Sequence, residues 1–193
     1  MPIEETLGAL DELVRAGKVR EIGNSNFTGR MIDDAADVSE AKGWAQFRTA
    51  QNHMNLLERS PLRRVLPACE AHGLAFLPYF PLASGLLTGK YQRGEAPPEG
   101  TRLALWGGRA ERILSDDNFA LVDDLTAFAA ERDHTILELA FAWLAAQPAM
   151  GPIIAGATSP AQIQANAAAV DWKLGAEDLA AIDAILAAHT PAE

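Results

Sequence analysis

The sequence predicts an α/β protein built on a parallel sheet, from two observations. Four short apolar, β-favouring runs, at residues 19–23, 47–50, 74–79 and 152–156, each have the length of a buried strand. Between and around them lie segments with helical periodicity, and strands alternating with helices imply βαβ units. The order is one helix first, then four strands, each followed by helix. Four parallel strands fit either an open doubly wound sheet or half of an eight-stranded barrel, and composition does not choose between them.

The elements follow in order. Leu7, Leu10, Leu13 and Val14 form an apolar stripe closed by Gly17 just past its end. An alanine-rich run from about Met31 to Ala41 ends at Gly43 in the same way. Ser60 and Pro61 read as a cap and first-turn proline, opening a helix that carries Leu62, Val65 and Leu66 to Gly73. Residues 118–131 and 135–146 read as two further helices. Ser159-Pro160 opens another, to about Val170, and Gly175 precedes a last one over residues 176–188. The least regular stretch, from Thr88 to about Ser115, contains Gly89, Gly94, Pro97, Pro98, Gly100, Gly107 and Gly108. A loop that long inside a compact domain is usually functional or mobile.

Composition bounds the function. At 193 residues and 49% hydrophobic, the chain supports one core, read as a single domain over residues 1–193. No apolar run approaches the roughly 20 residues of a membrane span, and no leader pattern opens the chain, so a cytoplasmic protein without membrane partners is expected. The one cysteine, Cys69, fits a reducing compartment and is expected to be buried and inert. A net charge of −10 argues against nucleic acid as a partner. It leaves room for an anionic small ligand, because helix N-termini and a few cations can dominate a pocket. His53, His72, His134 and His189 show no ligand spacing, so no metal site is expected. Phe141 and Trp143 belong to a core helix, while Trp106 in the long loop is the aromatic suited to line a site.

The strand ends narrow the choice. They read Gly23-Asn24-Ser25-Asn26-Phe27, then Gln51-Asn52-His53-Met54-Asn55, then Pro78-Tyr79-Phe80-Pro81-Leu82-Ala83-Ser84-Gly85 running on to Lys90-Tyr91, then Gly156-Ala157-Thr158-Ser159-Pro160. In that order they resemble the fifth to eighth strand ends of the aldo-keto reductase family, a (β/α)8 TIM-type barrel. The resemblance runs from about Pro2 to Leu186. It implies a partial barrel, namely four C-terminal βα units preceded by a helix. The long loop would then lie on the C-terminal rim, where such enzymes keep their sites.

The resemblance also implies reversible carbonyl–alcohol reduction with NADP(H), with NAD(H) left open. Ser25, Asn26 and Gln51 match the family's carboxamide-binding positions, and the nicotinamide amide needs both a donor and an acceptor. Tyr79 matches the aromatic that packs on the nicotinamide ring. Phe80, Pro81, Leu82, Ala83 and Ser84 match the stretch whose backbone wraps the pyrophosphate. Lys90 and Arg102 match cations of the loop that folds over the phosphates. Gly156, Thr158, Gln162 and Asn166 match the adenosine-phosphate end, where the Ser159-Pro160 helix start is expected to offer free amides.

The departures are informative. Phe80 stands where many members carry serine, Gln162 where many carry an arginine for the 2′-phosphate, and Ala165 where an acidic residue often meets adenine. The family's catalytic aspartate, tyrosine, lysine and histidine lie on its first four strands, so none is assigned here. A small carbonyl substrate is expected only where a missing half is supplied. Three readings stay open: a truncated reductase, a non-catalytic nicotinamide-nucleotide-binding or regulatory module, and one half of a barrel completed by a second chain or copy. The last makes a homo-oligomer an expected form.

Overall fold

A computed structural model describes residues 2–101 and 103–189. Among them the chain forms eight α-helices and a three-stranded parallel sheet of order β1-β2-β3. It divides into two compact units. The first holds the residues up to Met54, Glu58–Tyr79 and Gln147–Ile154, and the second holds Asn55–Leu57, Phe80–Ala146 and the residues from Ala155 on.

The first unit contains α1 (Ile3–Arg15), β1 (Ile22–Ser25), α2 (Gly29–Lys42), β2 (Phe47–His53), α3 (Pro61–His72) and β3 (Ala75–Tyr79). Helices α2 and α3 end at Gly43 and Gly73, both left-handed as the sequence predicts. Strand β1 starts three residues later than expected. The amides of Lys18 and Val19 bond back to the Leu13 carbonyl instead of entering a ladder. Strand β2 runs on to His53, because it is paired through Gln51 with β1 and through His53 with β3. The expected cap at Ser60 does not form: its backbone is helical, and its amide and hydroxyl both donate to the Glu58 carboxylate.

The fourth apolar run, at 152–156, forms isolated bridges rather than a strand: Met150 pairs with Phe76 and Ile154 with Tyr79, both parallel. The ladder is thin for a covalent reason. Pro78 in β3 has no N–H to give to this neighbour, and the register slips by one residue between the two bridges. Bonds remain from Phe76 N to Ala149 O (2.7 Å), Gly151 N to Phe76 O (2.8 Å) and Ile154 N to Pro78 O (3.0 Å).

One face of the sheet is apolar, with Ala50 and Phe76 fully buried. Helix α3 packs on β2 and β3, and α2 packs on α3. Cys69 on α3 is enclosed, and burial pushes its thiol up to about 11. The loop entering β2 is pinned by polar groups instead. Buried Asp11 accepts from the Ala45 amide (2.9 Å) and pairs with Arg15, while Ser39 donates to the Ala45 carbonyl.

The second unit contains a tight 3-10 stretch at Ala83–Thr88, then α4 (Gly108–Ile113), α5 (Asp116–Ala130), α6 (Ile136–Ala145), α7 (Pro160–Ala168) and α8 (Ala176–Ala188). Its core includes Leu86, Leu87, Leu125, Leu139, Trp143 and Ile182. The stretch expected to be irregular is partly ordered. Asn118 Nδ2 caps the carbonyls of Arg112 and Ile113, and Ser115 accepts from the Asn118 amide, so α5 begins two residues early. Helix α6 opens with a reciprocal box between Thr135 and Glu138. No helix among the described residues is long and apolar enough to cross a membrane.

Candidate functional site

Because the three strands run parallel, their C-terminal residues emerge side by side. Ser25 lies opposite Gln51, and His53 lies opposite Tyr79. All four side chains fall on the face away from the apolar one, since side chains alternate along a strand. Four hydrogen bonds join Ser25, the Gln51 backbone, Tyr79 and Asn26 into one group. Tyr79 donates its hydroxyl to Asn26 Oδ1 (2.8 Å), Asn26 Nδ2 donates to Ser25 Oγ (3.3 Å), Ser25 donates to the Gln51 carbonyl (3.1 Å), and the Asn26 amide donates to that same carbonyl (2.9 Å). Asn26 Oδ1 therefore faces a donor, which orients its amide. The Gln51 carboxamide has no hydrogen-bond partner among the described residues. The His53 and Tyr79 rings stack at 5.4 Å and 12°.

The turn that carries Asn26 is left-handed, with φ at 59°. Asparagine is among the few side chains that tolerate this region. Two residues on, Thr28 caps α2 by accepting from the Met31 amide (3.2 Å). Asn52 reaches the same turn from β2, donating Nδ2 to the Phe27 carbonyl (2.9 Å). Asn24 and Asn52 are both buried, and both Asn24 amide atoms and Asn52 Oδ1 lack partners among the described residues.

In the second unit, Phe80 has φ 54° and its carbonyl accepts from buried Asn55 Nδ2 (2.8 Å). Its ring meets Trp106 edge-on at 6.2 Å. Pro81 and Ala83 are buried, and Leu82 is half-buried. Ala83, Ser84 and Gly85 follow one another with φ of 46°, 59° and 102°. The turn is closed on itself: the Ala83 amide donates to the Phe80 carbonyl (3.0 Å) and the Gly85 amide to the Leu82 carbonyl (2.7 Å). Lys90 lies against this turn: a Cβ added at Gly85 would sit 2.6 Å from Lys90 Nζ. That ammonium also lies 5.0 Å from the Tyr91 ring, and Tyr91 donates to the Ser84 carbonyl (3.3 Å). Arg102 falls outside the described residues.

The start of α7 departs from expectation. Rather than offering free amides, it is closed on itself: Ser159 Oγ accepts from the Gln162 amide (3.3 Å), and Gln162 Oε1 accepts from the Thr158 amide (2.7 Å) and hydroxyl (3.1 Å). Gln162 is long enough to reach back where a shorter side chain would leave those donors open. Gly156 is exposed, and Asn166 is half-buried on α7.

The aldo/keto reductase family model matches residues 1–187, and the chain belongs to that family. It is 35% identical over 173 residues to a probable voltage-gated potassium channel subunit beta of Arabidopsis thaliana, covering 88% of this chain and 52% of that protein. An NADH-specific methylglyoxal reductase of Escherichia coli is 31% identical over 177 residues, covering 92% and 52%. An aldo-keto reductase of Bacillus subtilis is 33% identical over 187 residues, covering 96% and 54%. The solved glycerol dehydrogenase of Gluconobacter oxydans aligns at a TM-score of 0.83 and 30% identity, over 100% of this chain and 57% of that one. The chain thus spans about half the length of the curated relatives it matches, and its α/β fold is similar to that solved structure.

Sequence reasoning missed two residues, Asn52 and Asn55. Each ties down a carbonyl at a left-handed turn. For Asn52 the available signal was an asparagine on the apolar side of a strand end, whereas Asn55 lies two residues past β2.

Proposed function

We propose that this chain binds a nicotinamide dinucleotide, NADP(H) by family resemblance, as the cofactor-holding part of an oxidoreductase that interconverts small carbonyl compounds and alcohols. The observation that carries this reading is the linked group Ser25, Asn26, Gln51 and Tyr79. Its chemistry fits a nicotinamide amide: Asn26 and Gln51 supply donors and acceptors, and Tyr79 supplies a ring. In the second unit, the Lys90 ammonium beside the turn at Ala83–Gly85 fits phosphate oxygens, and Asn166 suits the adenine edge. When bound, the dinucleotide supplies a hydride.

The 193 residues by themselves hold no phenol ready to protonate a developing alkoxide. Tyr79 donates to Asn26 and Tyr91 donates to Ser84. Reduction then needs a proton donor from outside these residues, since losing the general acid costs about 10²–10⁴-fold. A single domain corresponding to the later half of a barrel, a cytoplasmic location, and pairing with a second copy or chain belong to the same reading.

The engaged phenols also favour a second reading, a non-catalytic nucleotide-binding module. The relative named as a potassium channel subunit beta is in keeping with it.

Fluorescence titration with NADPH and NADH tests the proposal. Asn26→Ala, Tyr79→Ala and Lys90→Ala should each weaken binding about fivefold or more, the loss of about 1 kcal/mol expected for one contact. Unchanged affinity in all three would refute the site. With nitrobenzaldehyde and NADPH, these 193 residues alone should show no turnover. Turnover would point to Tyr91 or to a second copy as the acid.

A further inference from the structure

A buried carboxamide is costly unless all its polar atoms are matched. Asn52 is 9% exposed, and its Oδ1 meets no donor among the described residues. It shares the buried face of β2 with Ala50, where an aliphatic side chain would fill the space and leave no oxygen orphaned. What asparagine adds there is the Nδ2–H that reaches the Phe27 carbonyl at 2.9 Å.

That carbonyl belongs to the residue after Asn26, whose φ of 59° is left-handed. Such a conformation persists in a non-glycine residue when its surroundings over-determine it. Here two bonds bracket it, and both come from adjacent residues of β2. The Gln51 carbonyl accepts from the Asn26 amide (2.9 Å), and Asn52 holds the Phe27 carbonyl. The bracketed residue is the one whose carboxamide meets Tyr79 and Ser25.

We propose that Asn52 is a positioning residue for the dinucleotide site: by holding the Phe27 carbonyl it fixes the left-handed turn and so the direction of the Asn26 carboxamide. The inference rests on the reading that Asn26 meets the nicotinamide amide. It assigns Asn52 no contact with ligand.

The test is Asn52→Leu, similar in shape and without a donor. Its affinity for NADPH or NADH should fall roughly tenfold, the scale of one misplaced hydrogen-bonding contact. Its melting temperature should hold, because the orphaned oxygen leaves with the donor. In the unliganded chain, the Asn26 side-chain amide pair in a ¹H–¹⁵N spectrum should shift and broaden, a change that a purely structural role for Asn52 elsewhere would not cause. Should the leucine variant fail to fold, Asn52→Ala removes the donor without added bulk and should give the same two changes. An unmoved Asn26 signal with affinity within twofold of wild type overturns the inference. The spectrum needs no ligand, so it decides even where the chain binds neither dinucleotide. If Asn26→Ala leaves affinity untouched, the nicotinamide reading fails. If Asn26→Ala weakens binding and the Asn52 variants do not, only the positioning role fails.

Discussion

Replacing Asn24 with leucine should make this protein more stable. Asn24 lies in β1 opposite Ala50, is 8% exposed, and has neither amide atom hydrogen-bonded among the described residues. A buried amide left unmatched costs about 1–3 kcal/mol. Leucine has nearly the same branched outline, and burying its methyl groups contributes about 1.5–3 kcal/mol. Crowding in a close-packed site offsets about 1–3 kcal/mol of that sum. The expected net gain is about 1–3 kcal/mol, at about 2–4 °C in Tm per kcal/mol for a chain of this size. Asn24→Ala removes the unmatched group but leaves a void, and should fall near zero. Urea unfolding followed by circular dichroism, with m-values compared, gives both numbers. A leucine variant less stable than wild type by about 1 kcal/mol or more, at unchanged m, would refute the reasoning. It would mean that the Asn24 carboxamide is hydrogen-bonded in solution, since losing such a bond is the cost that burial of methyls could not cover.

Two further predictions concern the second unit. The Thr135 backbone amide, with the Thr135 hydroxyl and His134, holds the Glu138 carboxyl below the usual glutamate range. A lowered native pKa gives stability that is complete above the unfolded value, roughly 4.3, and lost as pH falls through the native value. Wild type should therefore exceed Glu138→Gln in melting temperature near neutrality, and the gap should close in acid. A gap independent of pH would remove the carboxylate from the explanation. Gly85→Ala should destabilise by about 1 kcal/mol or more, since its φ of 102° is closed to a side chain. It should also weaken dinucleotide binding, because the new Cβ would lie 2.5 Å from Lys90 Cε and displace that side chain. Parallel melts and titrations check it, and a variant that keeps both properties sinks the placement of Lys90.

The sequence is legible where one residue type decides the backbone. Gly43 and Gly73 end their helices as read, because left-handed C-terminal residues favour glycine strongly. It is less legible where tertiary partners compete for the same backbone. The apolar run at residue 19 looks like a strand from its start, but its first amide is taken by the Leu13 carbonyl. The last apolar run reads as a fourth strand, yet Pro78 and a one-residue register slip thin its ladder with β3 to bridges. The strand-end residues Ser25, Asn26, Gln51 and Tyr79 were found from their order along the chain and do lie together. Asn52 and Asn55 were passed over, because a carbonyl 25 residues away in each case is invisible to local patterns. The start of α7 reads as an open anion cradle until the reach of Gln162 is known. Side-chain length, rather than helix position, settled that point.

The turn at Ala83, Ser84 and Gly85 sets three consecutive residues to the hand natural to D-amino acids. Alanine scanning is blind to such a feature. Ala83 is already alanine, and Ser84→Ala deletes a hydroxyl while leaving the handedness where it was. The variable that matters is stereochemistry. A D-alanine installed at position 83 by chemical ligation would keep every atom of the side chain, and its preferred backbone is the one that L-alanine is held in. A ribosome, which supplies one hand, relaxes this loop most fully through glycine, and glycine also loosens the unfolded chain. Mirror-image substitution would separate those two effects.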